Sequence, residues 1–174
     1  MKSERLSPPT RLTLDHDVQS FESGERSLDE WIVQRSLRNE REGASRTYVI
    51  CCDKVVVGYY ALSTGSIASV SAPGRVRRNM PDPIPVMVLG RLAIDRRWQG
   101  RGLGQALLRD AILRTIQVAE IAGIRAIVVN AISENAKRFY EKYDFKSSPI
   151  DPLLMMLLLK DAQDPVQNRK IRRD

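Results

Sequence analysis

Residues 96–108 read RRWQGRGLGQALL and place three glycines, Gly100, Gly102 and Gly104, immediately before a strongly apolar helical pattern. Glycine loses more backbone entropy on folding than other residues, so a helix that begins with glycines indicates a need for bare backbone. The first N–H groups of a helix lack intrahelical acceptors and lie at the positive end of its dipole. The stretch therefore predicts a turn that binds a phosphate or pyrophosphate, and a tight strand–helix connection is the competing interpretation.

The spacing of these glycines differs from two common nucleotide-binding loops. Gly-x-Gly-x-Gly is not the Gly-x-Gly-x-x-Gly of dinucleotide-binding folds, and no Gly-Lys-Ser/Thr of a Walker loop follows. Donors on Gln99 and Arg101 can add hydrogen bonds to a bound anion. The pattern thus indicates an anion site of another class.

The order of hydrophobic patterns predicts an α/β (α+β) fold in a single domain with a mixed sheet flanked by helices. Ser27 and Glu30 have the spacing of a capping box, and Gly43 and Gly123 are expected to end helices. We divide the chain into a folded domain, residues 1–160, and a polar, basic tail, residues 161–174, that is expected to be flexible. The expected elements are a strand at 11–14, a helix at 28–42, a hairpin of 46–50 and 55–62, a strand at 86–95, a helix at 103–122, a strand at 126–131, a helix from 133 and a strand at 153–159.

Composition argues against several classes of protein. The longest apolar run, residues 153–159, has seven residues and is far shorter than the ~20 of a membrane-spanning helix. Cys51 and Cys52 are adjacent, so they cannot form a disulfide that cross-links distant parts of the chain. The sequence has a single histidine, and no set of metal ligands is evident from residue spacing. The N-terminus has no apolar signal-peptide core. We therefore expect a cytoplasmic protein with no metal and no membrane association.

The chain carries a formal net charge of +7, and much of the excess lies between residues 75 and 101. A basic surface favours a polyanionic partner, although solubility alone explains net charge equally well. Over that span the seven arginines face only Asp82 and Asp95; the arginines are Arg75, Arg77, Arg78, Arg91, Arg96, Arg97 and Arg101. A second basic cluster, residues 169–173, ends the chain.

Two motifs together resemble those of the GCN5-related N-acetyltransferase (GNAT) superfamily. Gln99-x-x-Gly102-x-Gly104 resembles its acetyl-CoA signature, which follows a strand and begins a long helix. About thirty residues later, ENAKRFYEKYDF at 134–145 resembles the last-helix motif, with Asp144 where glycine is usual. Aspartate tolerates left-handed backbone better than most residues. The resemblance implies the GNAT fold, with a mostly antiparallel mixed sheet, over residues 46–160.

The resemblance also implies roles for individual residues. The pantetheine arm of acetyl-CoA would pair with the backbone of the strand before the turn, and the pyrophosphate would lie over the turn itself. Tyr140 would protonate the leaving thiolate, although packing is the usual role of a helical tyrosine. Asn135 would contact the cofactor, or would simply be a polar residue at a helix start. The implied cofactor-binding residues are Leu92, Ala93, Ile94, Gln99, Gly100, Arg101, Gly102, Leu103, Gly104 and Asn135.

Longer stretches resemble the acetyltransferase toxins of bacterial type II toxin–antitoxin modules. These stretches include FESGERSLDEWI, GYYALSTGS and RRNMPDPIPVMVLGRLAID, so the resemblance spans about Phe21 to Leu159. It implies acetylation of the α-amino group of aminoacyl-tRNA, which stops translation in the bacterial cytoplasm. It also implies a ribbon-helix-helix antitoxin, operator DNA bound through that antitoxin, and a homodimer. The residues expected to hold tRNA are Arg75, Arg77, Arg78 and Arg91, the last beside the thioester.

Two other functions are compatible with parts of the sequence. An acetyltransferase could act on a protein N-terminus or a small polyamine, but such acceptors favour an acidic cleft. A non-enzymatic nucleic-acid-binding module could use the basic cluster at 169–173, but no recognition-helix pattern accompanies it. No strong general base is evident, and an aminoacyl ester's amine needs none, because much of it is already neutral at cell pH.

Overall fold

The computed structural model describes residues 4–163. The strands are β1 (Thr10–Arg11), β2 (Arg46–Cys52), β3 (Val55–Ile67), β4 (Ile84–Ile94), β5 (Ala126–Asn130), β6 (Lys146–Ser147) and β7 (Leu154–Leu158). The helices are α1 (Arg26–Gln34), α2 (Ser36–Glu42), α3 (Gly74–Arg77), α4 (Leu103–Ala119), α5 (Glu134–Lys142) and α6 (Leu159–Ala162).

The strands form one seven-stranded sheet in the order β1-β2-β3-β4-β5-β7-β6. Antiparallel pairing joins β1 to β2, β2 to β3, β5 to β7 and β6 to β7. β4 and β5 run parallel, because α4 lies between them in the chain. The predicted α/β fold with a mixed, mostly antiparallel sheet is confirmed.

Within this fold the described chain forms two compact units, the first made of residues 4–63 and 91–111. Its core contains an aromatic cluster in which the Trp31 ring stacks on Tyr59 at 5.9 Å and Phe21 meets Tyr59 edge-on. The helical spacing of Leu28, Trp31 and Ile32 places all three on the buried face of α1. The Tyr59 hydroxyl donates to the Leu28 carbonyl, which ties β3 to α1.

The second unit comprises residues 64–90 and 112–163. Its core packs one face of β4, β5 and β7 against Ala72 and Val76. The apolar run at the end of the chain forms β7, which has β5 on one side and β6 on the other. A strand that is apolar on both faces fits such a central position, as expected for LLMMLLL.

The predicted helix at 28–42 is two helices, because the chain breaks at Arg35 (φ −122°, ψ −29°). The buried Ser36 hydroxyl donates to the carbonyl of Ile32 one turn earlier, a bond that bends helices. The predicted capping box is wrong: Ser27 lies inside α1 and the Glu30 carboxylate pairs with Arg26. Gly43 ends α2 with φ +75°, as predicted.

Two segments differ from expectation near their ends. Helix α4 ends at Ala119, and Gly123 is not its left-handed cap, since tighter turns at 117–122 end the helix first. Near the C-terminal end of the described residues, Ala162 is buried and the Asp161 carboxylate accepts a hydrogen bond from Arg75. Ordered structure therefore extends through α6. The rest of the predicted tail, residues 164–174, lies outside the described residues. Across 4–163 no helix is long and apolar enough to cross a membrane.

Candidate cofactor and substrate sites

The glycine turn has the backbone conformation that its sequence predicts. Gly100 and Gly102 have φ of +76° and +79°, and a Cβ at either position would meet no heavy atom within 4 Å. The Ala106 N–H donates to the Gly102 carbonyl and starts the hydrogen-bond ladder of α4. The N–H groups of Leu103, Gly104 and Gln105 precede that ladder and have no intrahelical acceptor. The turn therefore presents unshielded donors at a helix N-terminus, which suits an anion.

A buried carboxylate, Asp95, holds the start of this turn. Its oxygens accept hydrogen bonds from the backbone N–H groups of Glu22 (3.1 Å) and Arg97 (3.0 Å) and from the Arg97 guanidinium. Burial alone would raise the pKa of Asp95, but the hydrogen bonds from Arg97 and Glu22 outweigh burial and lower it. The sequence showed Asp95 only as one of two acids in a basic span; its position directly after a strand was the signal available for this structural role.

The two side chains predicted to add donors to the turn have partners within the protein. Gln99 Nε2 donates to the carbonyl oxygens of Ser23 (2.8 Å) and Ile94 (3.0 Å). The Arg101 guanidinium lies over the Trp98 ring at 4.5 Å and pairs with Glu4. Gln99 therefore shapes the turn, and the donors that remain for an anion are mainly backbone groups.

The strand before the turn extends beyond its pairing with β5. The β4–β5 ladder joins Val86–Val88 to Ala126–Val128, whereas β4 continues to Ile94 and β5 to Asn130. Of the residues predicted to pair with the cofactor, Ala93 is buried and Leu92 and Ile94 are half-buried. A parallel pair that stops short leaves strand backbone that an extended ligand could use.

Tyr140 lies on the buried face of α5, whose start is capped by the Ser133 hydroxyl accepting from the Ala136 N–H. The Tyr140 side chain is 6% exposed, between the rings of Phe139 and Phe145. No hydrogen bond to its hydroxyl is found within residues 4–163. Burial raises the pKa of Tyr140, so the phenol keeps its proton at physiological pH.

The exposed Asn135 accepts a hydrogen bond from the Arg138 guanidinium one turn later on α5. Its side chain therefore has a local partner on the helix surface. This contact fits the interpretation of Asn135 as a polar residue at a helix start, and its predicted cofactor contact stays a prediction.

The unusual aspartate after α5 adopts the conformation of the glycine it replaces. Asp144 has φ +67°, its N–H donates to Glu141, and the Phe145 N–H donates to Tyr140. These two bonds form a Schellman motif, the common glycine-type end of a helix. The turn after the last helix therefore forms with aspartate in the left-handed position.

The predicted tRNA-binding arginines have different environments. Arg91 is half-buried, with its guanidinium 4.4 Å from the centroid of the Trp31 ring. Arg75 forms two hydrogen bonds of 2.6 and 2.8 Å to the Asp161 carboxylate. Arg77 and Arg78 are exposed. Arg91 thus has a fixed position, the charge of Arg75 is balanced, and the other two are available to a ligand.

A cavity of about 260 Å³ adjoins α3 in the second unit. Sequence reasoning missed two of its cations, Arg125 and Lys160, because they are distant in the chain from the arginine cluster. The lining residues are Arg75, Arg78, Asn79, Met80, Arg125, Leu158 and Lys160.

The site residues are divided between the two compact units. The stretch predicted to bind the cofactor, from Leu92 to Gly104, lies in the first unit together with Arg91. Tyr140 and Asn135 lie in the second unit with Arg75, Arg77 and Arg78. Among residues 4–163 there is no group of three or more His, Cys, Asp or Glu side chains that could hold a metal ion.

Comparisons with known proteins agree on one kind of relative. Residues 43–147 match the acetyltransferase (GNAT) domain. The chain is 56% identical over 157 residues to the tRNA-acetylating toxin of Mycobacterium tuberculosis (strain ATCC 25618 / H37Rv), covering 90% of this chain and 95% of that protein.

Solved structures of toxins give the same result. One is AtaT complexed with acetyl-methionyl-tRNAfMet, with a TM-score of 0.84 and 28% identity over 91% of this chain and 98% of that one. Another is a tyrosine-to-phenylalanine mutant of AtaT bound to the C-terminus of the antitoxin AtaR and acetyl-CoA. Its TM-score is 0.76, with 28% identity over 90% of this chain and 95% of that one.

Proposed function

Because the chain belongs to the GNAT acetyltransferase family, we propose that it transfers acetyl from acetyl-CoA to the α-amino group of aminoacyl-tRNA and thereby acts as a toxin that blocks translation. The observation that carries this acceptor is the 56% identity, over 90% of the chain, to a tRNA-acetylating toxin. Because the match extends over nearly the full length of both chains, a shared acceptor class is the simplest account.

The glycine turn is assigned to the pyrophosphate of acetyl-CoA. Left-handed Gly100 and Gly102 leave open space above the turn, and the first N–H groups of α4 provide donors with a favourable dipole. The backbone of Leu92, Ala93 and Ile94 would pair with the pantetheine arm, since the β4–β5 ladder ends at Val88. A relative, AtaT, has been solved with acetyl-CoA bound, which supports this assignment.

The reaction requires little acid–base chemistry from the protein. The neutral amine attacks the thioester carbonyl, so that a C–N bond forms and the C–S bond breaks. A backbone N–H in Leu92–Ile94 would stabilise the oxyanion, as such donors do in acyl transfer. The leaving thiolate takes a proton from Tyr140, water takes the proton released by the amine, and solvent reprotonates the phenol.

The raised pKa of Tyr140 is compatible with this role. In water a phenol, with a pKa of about 10, is a weaker acid than a thiol, with a pKa of about 8.5. Proton transfer from the phenol to a thiolate is therefore uphill by only about 2 kcal/mol. Burial raises the pKa of Tyr140 further. The same exclusion of water disfavours a free thiolate, so proton transfer accompanies C–S cleavage.

The acceptor is a polyanion, and exposed arginines suit it. Arg77 and Arg78 can contact phosphates without reading sequence, and Arg91 is positioned by the Trp31 ring. We extend the proposal to the partners of such toxins: a ribbon-helix-helix antitoxin that neutralises the enzyme, operator DNA bound through it, a homodimer and a cytoplasmic location. The solved complex of AtaT with the C-terminus of AtaR supports an antitoxin partner.

Inhibition of translation tests this function. The purified protein should stop synthesis in a reconstituted translation system only when acetyl-CoA is present. Fresh charged tRNA should restore synthesis once the enzyme and acetyl-CoA have been removed. Expression in a bacterial host without an antitoxin should arrest growth. Normal translation in the presence of acetyl-CoA would exclude the proposed acceptor.

A further inference from the structure

We propose that the cavity beside α3 binds a backbone phosphate of the tRNA substrate, with Arg78 and Lys160 as its ligands and Arg125 as a positioning residue. This inference rests on the proposed function and adds a specific contact to it. Arg125 and Lys160 are outside every motif considered above. The cavity has a volume of about 260 Å³, which accommodates a phosphate group together with ordered water.

Arg125 holds the wall of the cavity in place. Its Nε donates to the Val76 carbonyl at 3.0 Å and its Nη2 to the Arg75 carbonyl at 2.8 Å. Its own N–H donates to Pro85, and its carbonyl accepts from Leu159. The side chain of Arg125 therefore fastens α3 to a residue whose backbone is bonded to the start of β4 and to the first residue of α6, and it keeps a positive charge at the cavity.

The other cations of the cavity differ in what binds them. Arg75 is paired with Asp161 through both terminal nitrogens, so its charge is balanced. Within residues 4–163, the side chains of Arg78 and Lys160 form no hydrogen bond or ion pair, and both residues are exposed at the cavity. Their chain positions, one after α3 and the other in α6, mean that two separate elements bring them together.

This arrangement favours a phosphate over an acidic peptide. Among residues 4–163 no acidic side chain lines the cavity, and the apolar side chains that do are Met80 and Leu158. Peptide docking relies on buried aromatic or aliphatic anchors in deeper apolar pockets. Two cations around a small concave site instead suit the negative charge, the two non-bridging oxygens and the size of one phosphodiester, a contact that positions RNA without reading its sequence.

The test measures binding of aminoacylated tRNA to single variants across a range of salt concentrations. Arg78→Gln and Lys160→Gln each remove one charge from the cavity and break no hydrogen bond within residues 4–163. Each should weaken tRNA binding by roughly three- to ten-fold. Each should also reduce the slope of log K against log salt by about 0.7 to 0.9, as expected for one lost phosphate contact. The KM for tRNA should rise while the KM for acetyl-CoA stays unchanged.

Matched controls are Lys146→Gln and Arg38→Gln. Both residues are exposed on other elements, β6 and α2, and neither lines the cavity. Their affinity for tRNA and their salt slope should stay close to those of the wild type. If all four variants lose tRNA affinity to the same extent, the loss comes from the lower net charge of the protein, and the cavity is not a specific site.

Two further outcomes would overturn the inference alone. The first is a wild-type protein that binds and acetylates tRNA while the cavity variants bind tRNA with unchanged affinity and salt slope. The second is a wild-type protein that binds a glutamate-rich peptide, together with cavity variants that lose this peptide binding but bind tRNA normally. That result would make the cavity a peptide site. A wild-type protein that neither binds nor acetylates charged tRNA would instead overturn the proposed function, and this inference with it.

Discussion

The side-chain nitrogen of Gln99 donates a hydrogen bond to the carbonyl oxygen of Ile94, the last residue of β4, at 3.0 Å. The same nitrogen donates to Ser23 at 2.8 Å. The glutamine of the acetyl-CoA signature therefore closes the turn onto the strand that precedes it. A pyrophosphate on this turn would be held chiefly by backbone N–H groups that Gln99 keeps in position.

Gln99→Glu should damage the turn more than its small size change suggests. The substitution places a carboxylate oxygen against two carbonyl oxygens and adds a negative charge near the phosphates. We expect the free energy of unfolding to fall by about 1 to 3 kcal/mol and acetyl-CoA affinity to fall at least about ten-fold. Urea unfolding and calorimetry check this, with exposed Gln117→Glu as the control. Unchanged acetyl-CoA affinity would contradict the role of Gln99.

Gly100→Ala and Gly102→Ala should each destabilise the protein through backbone conformation alone. Both glycines have positive φ, yet an added Cβ meets open space, so no steric contact contributes. The expected cost is about 1 to 2 kcal/mol each. Chemical unfolding measures it, and Gly123→Ala, which also meets open space but lacks positive φ, is the control and should be neutral. A neutral result at Gly100 and Gly102 would argue against left-handed backbone there.

Tyr140→Phe should abolish turnover without harming the fold. No hydrogen bond to the Tyr140 hydroxyl is found among residues 4–163, so its removal should change stability by less than about 1 kcal/mol. We expect kcat to fall by about 10² or more, as for loss of a general acid, with the acetyl-CoA Kd unchanged. Tyr143→Phe, at the C-cap of the same helix, is the control. Near-normal turnover in Tyr140→Phe would end the general-acid assignment.

The buried phenol should also affect alkaline stability. Burial raises the folded-state pKa of Tyr140 above its unfolded value near 10. The contribution of the protonated phenol to the free energy of unfolding is therefore complete below pH 10 and is lost as the pH rises further. Above pH 10 the stability of the wild type should fall more steeply than that of Tyr140→Phe, by up to about 1.4 kcal/mol per pH unit. Unfolding at several alkaline pH values tests this. Equal slopes would mean that the phenol is not buried.

The residue that replaces glycine after α5 gives a test of backbone strain. Asp144→Gly and Asp144→Ala both remove the aspartate side chain, and they differ only in tolerance of φ +67°. The glycine variant should be more stable than the alanine variant by about 1 kcal/mol. Thermal unfolding compares the two directly. Equal stability would show that the turn does not require left-handed backbone.

The fold was predictable because its elements carry strong local signals. The hairpin of β2 and β3, the glycine turn and the buried run of β7 each have a pattern set by nearby residues. The break between α1 and α2 was not predictable from periodicity, since it depends on the Ser36 hydroxyl bonding to the Ile32 carbonyl. The same limit applies to α1, where Ser27 has capping spacing but the chain enters the helix two residues earlier.

The candidate sites were predictable to a similar extent. Motif spacing predicted the glycine turn, because that turn follows from local backbone chemistry. It did not settle the turn after α5, where Asp144 replaces the usual glycine and is left-handed in the structure. The partners of Gln99 and Arg75 were not predictable, since Ser23 and Asp161 lie 76 and 86 residues away in the chain. Arg125 and Lys160 were missed for the same reason. Only the folded chain brings them to one cavity.

Transfer of label from acetyl-CoA to charged tRNA tests the central claim most directly. The purified protein is mixed with labelled acetyl-CoA and total aminoacylated tRNA, followed by nuclease digestion and mass spectrometry. We predict a labelled N-acetyl-aminoacyl-adenosine, whose mass also identifies the preferred amino acid. Tight binding of acetyl-CoA with no label on tRNA, and label on a protein N-terminus or small amine instead, would contradict the account.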